Sequence, residues 1–266
     1  MKNKLYVLML CAFILSCKAG KPEKIIVPRT ITANEDFNSY SDSKENALTI
    51  VEQVGKESTS KEPTFSVKYG DTLIRIQPDK ADSTFLKDKF SHAEYINTQK
   101  TSLLVQLSDS TGQVAPFYLI NLKDGKIQAV RLYRASAGAK DVQYTKGMIR
   151  VGNSGYLVNN DFFVTLVNAK VYLIPRQVPK ERIQGEFFLK SSDKTTFVFL
   201  VRGAFYQVNY PTGDVYVQPL PASAPTQITD VYKWVQDNFV WVKNAKGISF
   251  FKQTDPDKVI DMRTKY

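Results

Sequence analysis

Hydrophobic and polar positions alternate with a period of two over most of the chain beyond residue 63. Thr64-Phe65-Ser66-Val67-Lys68-Tyr69 alternates, Gly70-Asp71 turns, and Thr72-Leu73-Ile74-Arg75-Ile76 alternates again, which predicts strand, turn, strand. The same order returns in Ser102–Leu107 followed by Pro116–Leu122 and Ile127–Val130, in Asp161–Val167 with Lys170–Ile174, and in Phe239–Val242 with Ile248–Phe251. Its clearest statement is Thr195 to Pro221. There Phe197–Val201, Ala204–Tyr210 and Val215–Val217 predict three strands joined by Arg202-Gly203 and Pro211-Thr212-Gly213-Asp214.

Taking Ile74, Leu119, Leu173, Gln207 and Phe250 as equivalent points gives spacings of 45, 54, 34 and 43 residues. Strands that would precede each unit are proposed at Ala93–Ile96, Gly155–Val158, Glu186–Leu189 and Val231–Val235. A weak period of roughly 40–50 residues, each unit a meander of up to four strands, is the pattern of a β-propeller blade. Runs such as Phe197–Val201 are apolar on both odd and even positions, so both sheet faces must be covered. The fold expected is therefore all-β and β-propeller-like with about five irregular blades, Phe197, Phe199 and Phe205 being core residues. An irregular β-sandwich is the alternative. Phe117 to Lys126 resembles the central hairpin of many propeller families without naming one.

Ahead of the regular region the pattern changes. Residues 18–42 are polar, carry Pro22 and Pro28, and predict a tether, in which Lys18, Lys21, Lys24 and Arg29 lie close enough to an anchor to meet lipid headgroups. Asp42 and Glu45 have capping-box spacing, and Ala47, Leu48, Val51 and Val54 share a helical face, although Leu48-Thr49-Ile50-Val51 also suits a strand. Residues 55–63 predict a second linker. The organisation expected is a leader over 1–16, a tether with one short helix or strand over 17–62, and the repeat domain over 63–266.

The leader is a charged start, Met1-Lys2-Asn3-Lys4, and an apolar run from Leu5 to Leu15 that is too short to span about 30 Å of hydrocarbon. It ends in Ile14-Leu15-Ser16-Cys17, which resembles the lipobox of bacterial lipoproteins. The resemblance covers these residues alone and implies cleavage before Cys17, acylation of its thiol and amine, and attachment to a membrane. Lys18, and not an aspartate, follows the cysteine, which implies the outer membrane.

Composition narrows the function classes. The formal charge of +10 falls to 34 basic against 26 acidic residues once Lys2 and Lys4 are removed, and no block of five or more basic residues occurs, so nucleic acid is not an expected partner. Cys11 and Cys17 are the only cysteines and His92 the only histidine, which excludes a disulfide framework in the folded part and the common zinc sites; no cofactor is expected. Gly152-Asn153-Ser154-Gly155 lacks the second glycine of a nucleophile elbow, since Tyr156 stands in its place, and reads as a turn. Asn159-Asn160-Asp161 and Asp255-Pro256-Asp257 read as hairpin tips.

Two site readings follow. Glu94, Glu186 and Asp230 fall at the starts of the proposed inner strands, a layout that resembles five-bladed glycosidases of the arabinanase type and implies an acid and a base at a channel mouth. The aromatic residues Tyr144, Tyr156, Tyr210, Tyr232 and Trp234, with Arg150, Arg176 and Arg202 in register nearby, form a candidate binding set, of which Tyr144, Arg150, Tyr156, Tyr232 and Trp234 are the chosen members. The reading preferred is a non-enzymatic, lipid-anchored scaffold or binding protein of the cell envelope. Its partners would be the membrane through Cys17, an envelope protein of an outer-membrane assembly, and a glycan; a glycoside hydrolase or carbohydrate-binding lipoprotein is the alternative.

Overall fold

The computed structural model describes residues 22–39, 47–53, 63–78, 86–108, 116–137 and 146–254. Cys17 and Tyr144 lie outside them, as do Asp42, Glu45, Val54 and Asp255–Asp257. Among the described residues the protein is all-β with one helix. Twenty strands run in chain order as β1 Glu23–Ile26, β2 Arg29–Thr30, β3 Glu35–Asp36, β4 Leu48–Gln53, β5 Thr64–Tyr69, β6 Thr72–Ile76, β7 Phe90–Tyr95, β8 Ser102–Leu107, β9 Phe117–Lys123, β10 Lys126–Arg131, β11 Met148–Arg150, β12 Gly155–Val158, β13 Phe162–Thr165, β14 Lys170–Leu173, β15 Glu186–Lys190, β16 Thr196–Val201, β17 Ala204–Asn209 and β18 Val215–Pro219. The helix α1 Ile228–Asn238 then precedes β19 Phe239–Lys243 and β20 Ser249–Gln253.

The strands form four sheets that follow one another along the chain. The first has nine strands in the order β1-β6-β5-β7-β8-β9-β10-β2, with β4 on β5. Its inner face packs on itself, since Val67, Ile74, Phe90, Leu103, Val105, Tyr118 and Ile120 from strands across the sheet share one core. The next two are meanders, β11-β12-β13-β14 with β3 added, and β15-β16-β17-β18; the last is the hairpin β19-β20.

Each sheet is covered by the next. Leu104, Phe117, Leu119 and Val130 of the first sheet meet Tyr156, Phe162, Val164 and Val171 of the second. Leu157 and Phe163, on the other face of the second sheet, meet Phe197, Phe199 and Val208 of the third. Val198 and Phe205 turn away from that core to meet Val231, Val235, Phe239 and Phe251. Alternate residues of one strand thus enter different cores, which is the physical reason the runs are apolar at every position. Phe197, Phe199 and Phe205 are fully buried. The hydrophobic units before residue 132 join edge to edge in the first sheet instead of separating into layers.

Three expectations are corrected. The stretch predicted as a tether is structured over 22–38: β1 runs parallel to β6, β2 parallel to β10, and β3 antiparallel to β14. Ile26, Ile31 and Phe37 are buried, and the backbone finds its hydrogen bonds on strand edges far away in sequence, so no local period announces it. Over the described residues 47–53 the helical reading also gives way to its strand alternative, because Leu48–Gln53 is paired along its length with β5. Conversely Val231–Val235, proposed as a strand, lies in α1. Val231 and Val235, one helical turn apart, are its buried residues, and this spacing outweighs the strand preference of Val, Tyr and Trp.

The last hairpin is docked by side chains that imitate a strand. Gln207, fully buried on β17, accepts the Phe251 amide through Oε1 at 2.7 Å and donates Nε2 to the Phe251 carbonyl at 2.6 Å. Thr196 adds a bond to the Ser249 carbonyl, and the Ser249 hydroxyl donates to Asp193.

Candidate functional site

Residues from β7, β11 and β12 converge where the first sheet meets the second. Residues two apart on a strand share a face, so β7 presents His92 and Glu94 together toward the second sheet. A bulge between Phe90 and His92 sets that register, placing His92 opposite Gln106 and Glu94 opposite Leu104. Across the gap Arg150 and Tyr156 are direct cross-strand partners in the β11–β12 pair.

Tyr156 Oη donates to Glu94 Oε2. His92 Nε2 lies 3.7 Å from the same oxygen, too far for a hydrogen bond, and is buried with no other acceptor. The imidazole meets the Tyr156 ring edge-on with centroids 5.9 Å apart. Arg150 places its guanidinium carbon 5.7 Å from the centroid of the same ring and donates Nε to the Gly152 carbonyl at 3.3 Å. The side chains of His92 and Glu94 are 28% and 31% exposed, so the cluster is a rim open to solvent and not a sealed core network.

Burial, followed by the hydrogen bond to the Glu94 carboxylate, pushes the Tyr156 hydroxyl up to about 12, so it serves as a donor at neutral pH. Burial pulls His92 down, and the neighbouring Glu94 only partly opposes this. The folded protein therefore holds a proton on His92 less readily than the unfolded chain. Stability is expected to fall as pH drops through the ordinary histidine range and to level off below the folded value. His92→Gln should flatten this slope, read as urea midpoints from pH 7.5 to 5; parallel curves for the two proteins would show that another group titrates.

The structure thus brings together Arg150, Tyr156 and Glu94 and adds His92. It keeps the other candidates apart. Tyr232 sits on α1 with its ring stacked 4.3 Å from Phe188 and its hydroxyl donating to the Phe188 carbonyl, and Trp234 packs edge-on against Phe239. Both close the last core, two layers from the rim. Glu186 pairs with Lys146 at 3.0 Å, and Asp230 lies in the first turn of α1. Glu94, Glu186 and Asp230 thus stand on three different elements, β7 of the first sheet, β15 of the third and α1. Arg176 is buried against Asp161, and Tyr210 donates to the Lys194 carbonyl. Among the described residues no group of three His, Cys, Asp or Glu side chains is placed to hold a metal ion.

Sequence reasoning missed His92, because its partners come from another sheet and no spacing along the chain reports them. Compared with known proteins, the chain matches no family model, no curated protein and no solved structure.

Proposed function

We propose that the chain is a binding module of a bacterial cell envelope, held on the outer membrane through an acylated Cys17 and without enzymatic activity. It presents the rim around Arg150 and Tyr156 to an envelope glycan or to a protein subunit of an outer-membrane assembly. The observation that carries the recognition half is the convergence of a guanidinium, a tyrosine and a partly exposed carboxylate at the junction of two well-packed sheets. Rigid strands hold a donor and an acceptor side by side, which suits orientation of a polar ligand. Glycoside hydrolysis needs a second carboxyl group within roughly 5–10 Å of the first, and Glu186, the candidate on the third sheet, is paired with Lys146.

The anchor half rests on the lipobox resemblance at Ile14–Cys17 and on the energy of lipidation, about 0.8 kcal/mol per buried CH₂, so that several acyl chains hold a protein on a bilayer. The test is fractionation of cells fed an alkyne-bearing palmitate analogue. The native chain is expected to carry the label and sediment with outer membrane, and Cys17→Ala to lose the label and become soluble. A Cys17→Ala protein that still sediments with membrane would sink the anchor, and sugar release from a polysaccharide panel by the purified chain would sink the non-enzymatic reading.

A further inference from the structure

The turn between β11 and β12 is bonded to the third sheet, and that side gathers cations. Ser154 N–H closes the turn on the Val151 carbonyl at 3.1 Å, and Val151 N–H donates to the Gly155 carbonyl at 2.8 Å. Gly152, at the tip, takes a left-handed φ of +56°. The exposed amides of Gly152 and Asn153 make no backbone hydrogen bond among the described residues. Successive free N–H groups around a left-handed residue form a concavity suited to an anion.

Over this concavity β15 of the third sheet places Lys190. Its Nζ donates to Ser154 Oγ at 2.9 Å and lies 4.0 Å from where a β-carbon on Gly152 would stand. Because the ammonium occupies a lone pair of Oγ, the serine O–H remains a donor. The hairpin glycines Gly70, Gly125, Gly203, Gly213 and Gly247 share the left-handed conformation, yet nothing lies within 4 Å of the equivalent point at any of them. A cation above the turn is thus particular to Gly152.

The charges around it are unbalanced. Arg150 bonds the Gly152 carbonyl from the opposite side, and Lys194 follows in the β15–β16 turn. Burial and then the like charge of Lys194 both lower the affinity of Lys190 for its proton. Among the described residues no carboxylate pairs with Arg150, Lys190 or Lys194. Lys190 and Lys194 repel one another beside the free amides of the turn, and an arriving anion relieves that repulsion.

We propose that the Gly152–Ser154 turn, together with Lys190 and Arg150, binds the anionic substituent of an acidic polysaccharide. The inference rests on the binding-module reading above and names the ligand class of that rim. An acidic sugar is favoured over an anionic membrane surface because the adjoining Glu94 carboxylate, 31% exposed, accepts hydroxyl donors but repels a dense layer of anionic headgroups.

The experiment titrates the full-length chain in mild detergent with fluorescein-labelled polygalacturonate, with neutral dextran and phosphatidylglycerol vesicles as the contrasting arms. Polygalacturonate is expected to bind, dextran not to bind, and vesicles to bind more weakly. Lys190→Met should weaken polygalacturonate binding at least ten-fold at unchanged Tm, while Lys190→Arg, which keeps the charge, should retain most of it. Equal binding of dextran, or tighter binding to vesicles, would overturn the sugar-acid assignment. Loss of binding in Arg150→Ala but not in Lys190→Met would overturn the anion site and leave the rim reading standing. Binding untouched by either substitution would remove both.

Discussion

Replacing Gly155 by alanine is expected to cost about 3 to 5 kcal/mol of folding stability, the sum of a backbone conformation open mainly to glycine and a collision in a packed sheet. Gly155 begins β12 with φ +154° and faces Thr165 across the ladder. A β-carbon there would lie 2.1 Å from the Val164 carbonyl oxygen and 2.9 Å from the Thr165 α-carbon. Both obstacles are backbone of the neighbouring strand, and Phe162, Phe163 and Val164 of that strand are fully packed in two cores, so β13 has no room to retreat. Gly125→Ala is the matched control. It has a left-handed φ of +69° but nothing within 4 Å, so only the conformational cost of about 1 kcal/mol applies. Urea denaturation of the three proteins measures the difference. A Gly155→Ala protein no less stable than Gly125→Ala would mean that β12 and β13 do not approach as closely as described. Because Gly155 also closes the turn that carries Gly152 and Ser154, any folded fraction of Gly155→Ala should show weakened binding at the rim.

What the sequence revealed about this fold depends on whether the deciding interactions are local. The meander from Thr196 to Pro219 was legible because turn chemistry at Arg202-Gly203 and Pro211–Asp214, together with strand-forming residues between, is written in consecutive positions. Its doubly apolar strands also announced that sheets would cover both faces. The short strands β1, β2 and β3 were not legible. They exist because strand edges of β6, β10 and β14 accept them, and a two-residue strand has no period of its own. For α1 the local signal was present and outvoted: Val231 and Val235 gave the helical spacing while Val, Tyr and Trp gave strand preference. The site divides in the same way. Arg150 and Tyr156 stood out as an arginine and an aromatic residue near a turn, and they are cross-strand partners. Glu94 was singled out for a catalytic role and is the acceptor of the Tyr156 hydroxyl. His92 and Lys190 reach the site from sheets on opposite sides of the second, and only the stacking of layers brings them there.

Arg176→Met is expected to destabilise the protein by about 3 to 5 kcal/mol near neutral pH, because it strands a buried carboxylate. Arg176 and Asp161 have side chains 1% and 3% exposed, and both Nε and Nη2 of the arginine meet Asp161 Oδ1, at 3.2 and 2.6 Å. The remaining Nη1 holds the carbonyls of Ala135 and Pro179, so the same side chain pins two loops at the ends of β10 and β14. Burial pushes the Asp161 carboxyl above its ordinary value, even though Arg176, Arg134 and Arg182 pull the other way. An acid whose folded value is raised contributes a penalty that is absent below the unfolded value, grows as pH rises toward the folded one, and is then constant. Removing Arg176 raises the folded value further and deepens that penalty. The deficit of Arg176→Met relative to the native chain should therefore be small at pH 4 and largest above pH 7. Adding Asp161→Asn should remove the pH dependence and recover part of the loss, because the neutral amide no longer carries a charge out of water. The recovery should be incomplete, since the loop carbonyls stay without their donor. Equilibrium unfolding of the native, single and double variants at pH 4, 6 and 8 separates the two contributions. A deficit independent of pH would assign the role of Arg176 to the loops alone and not to its charge.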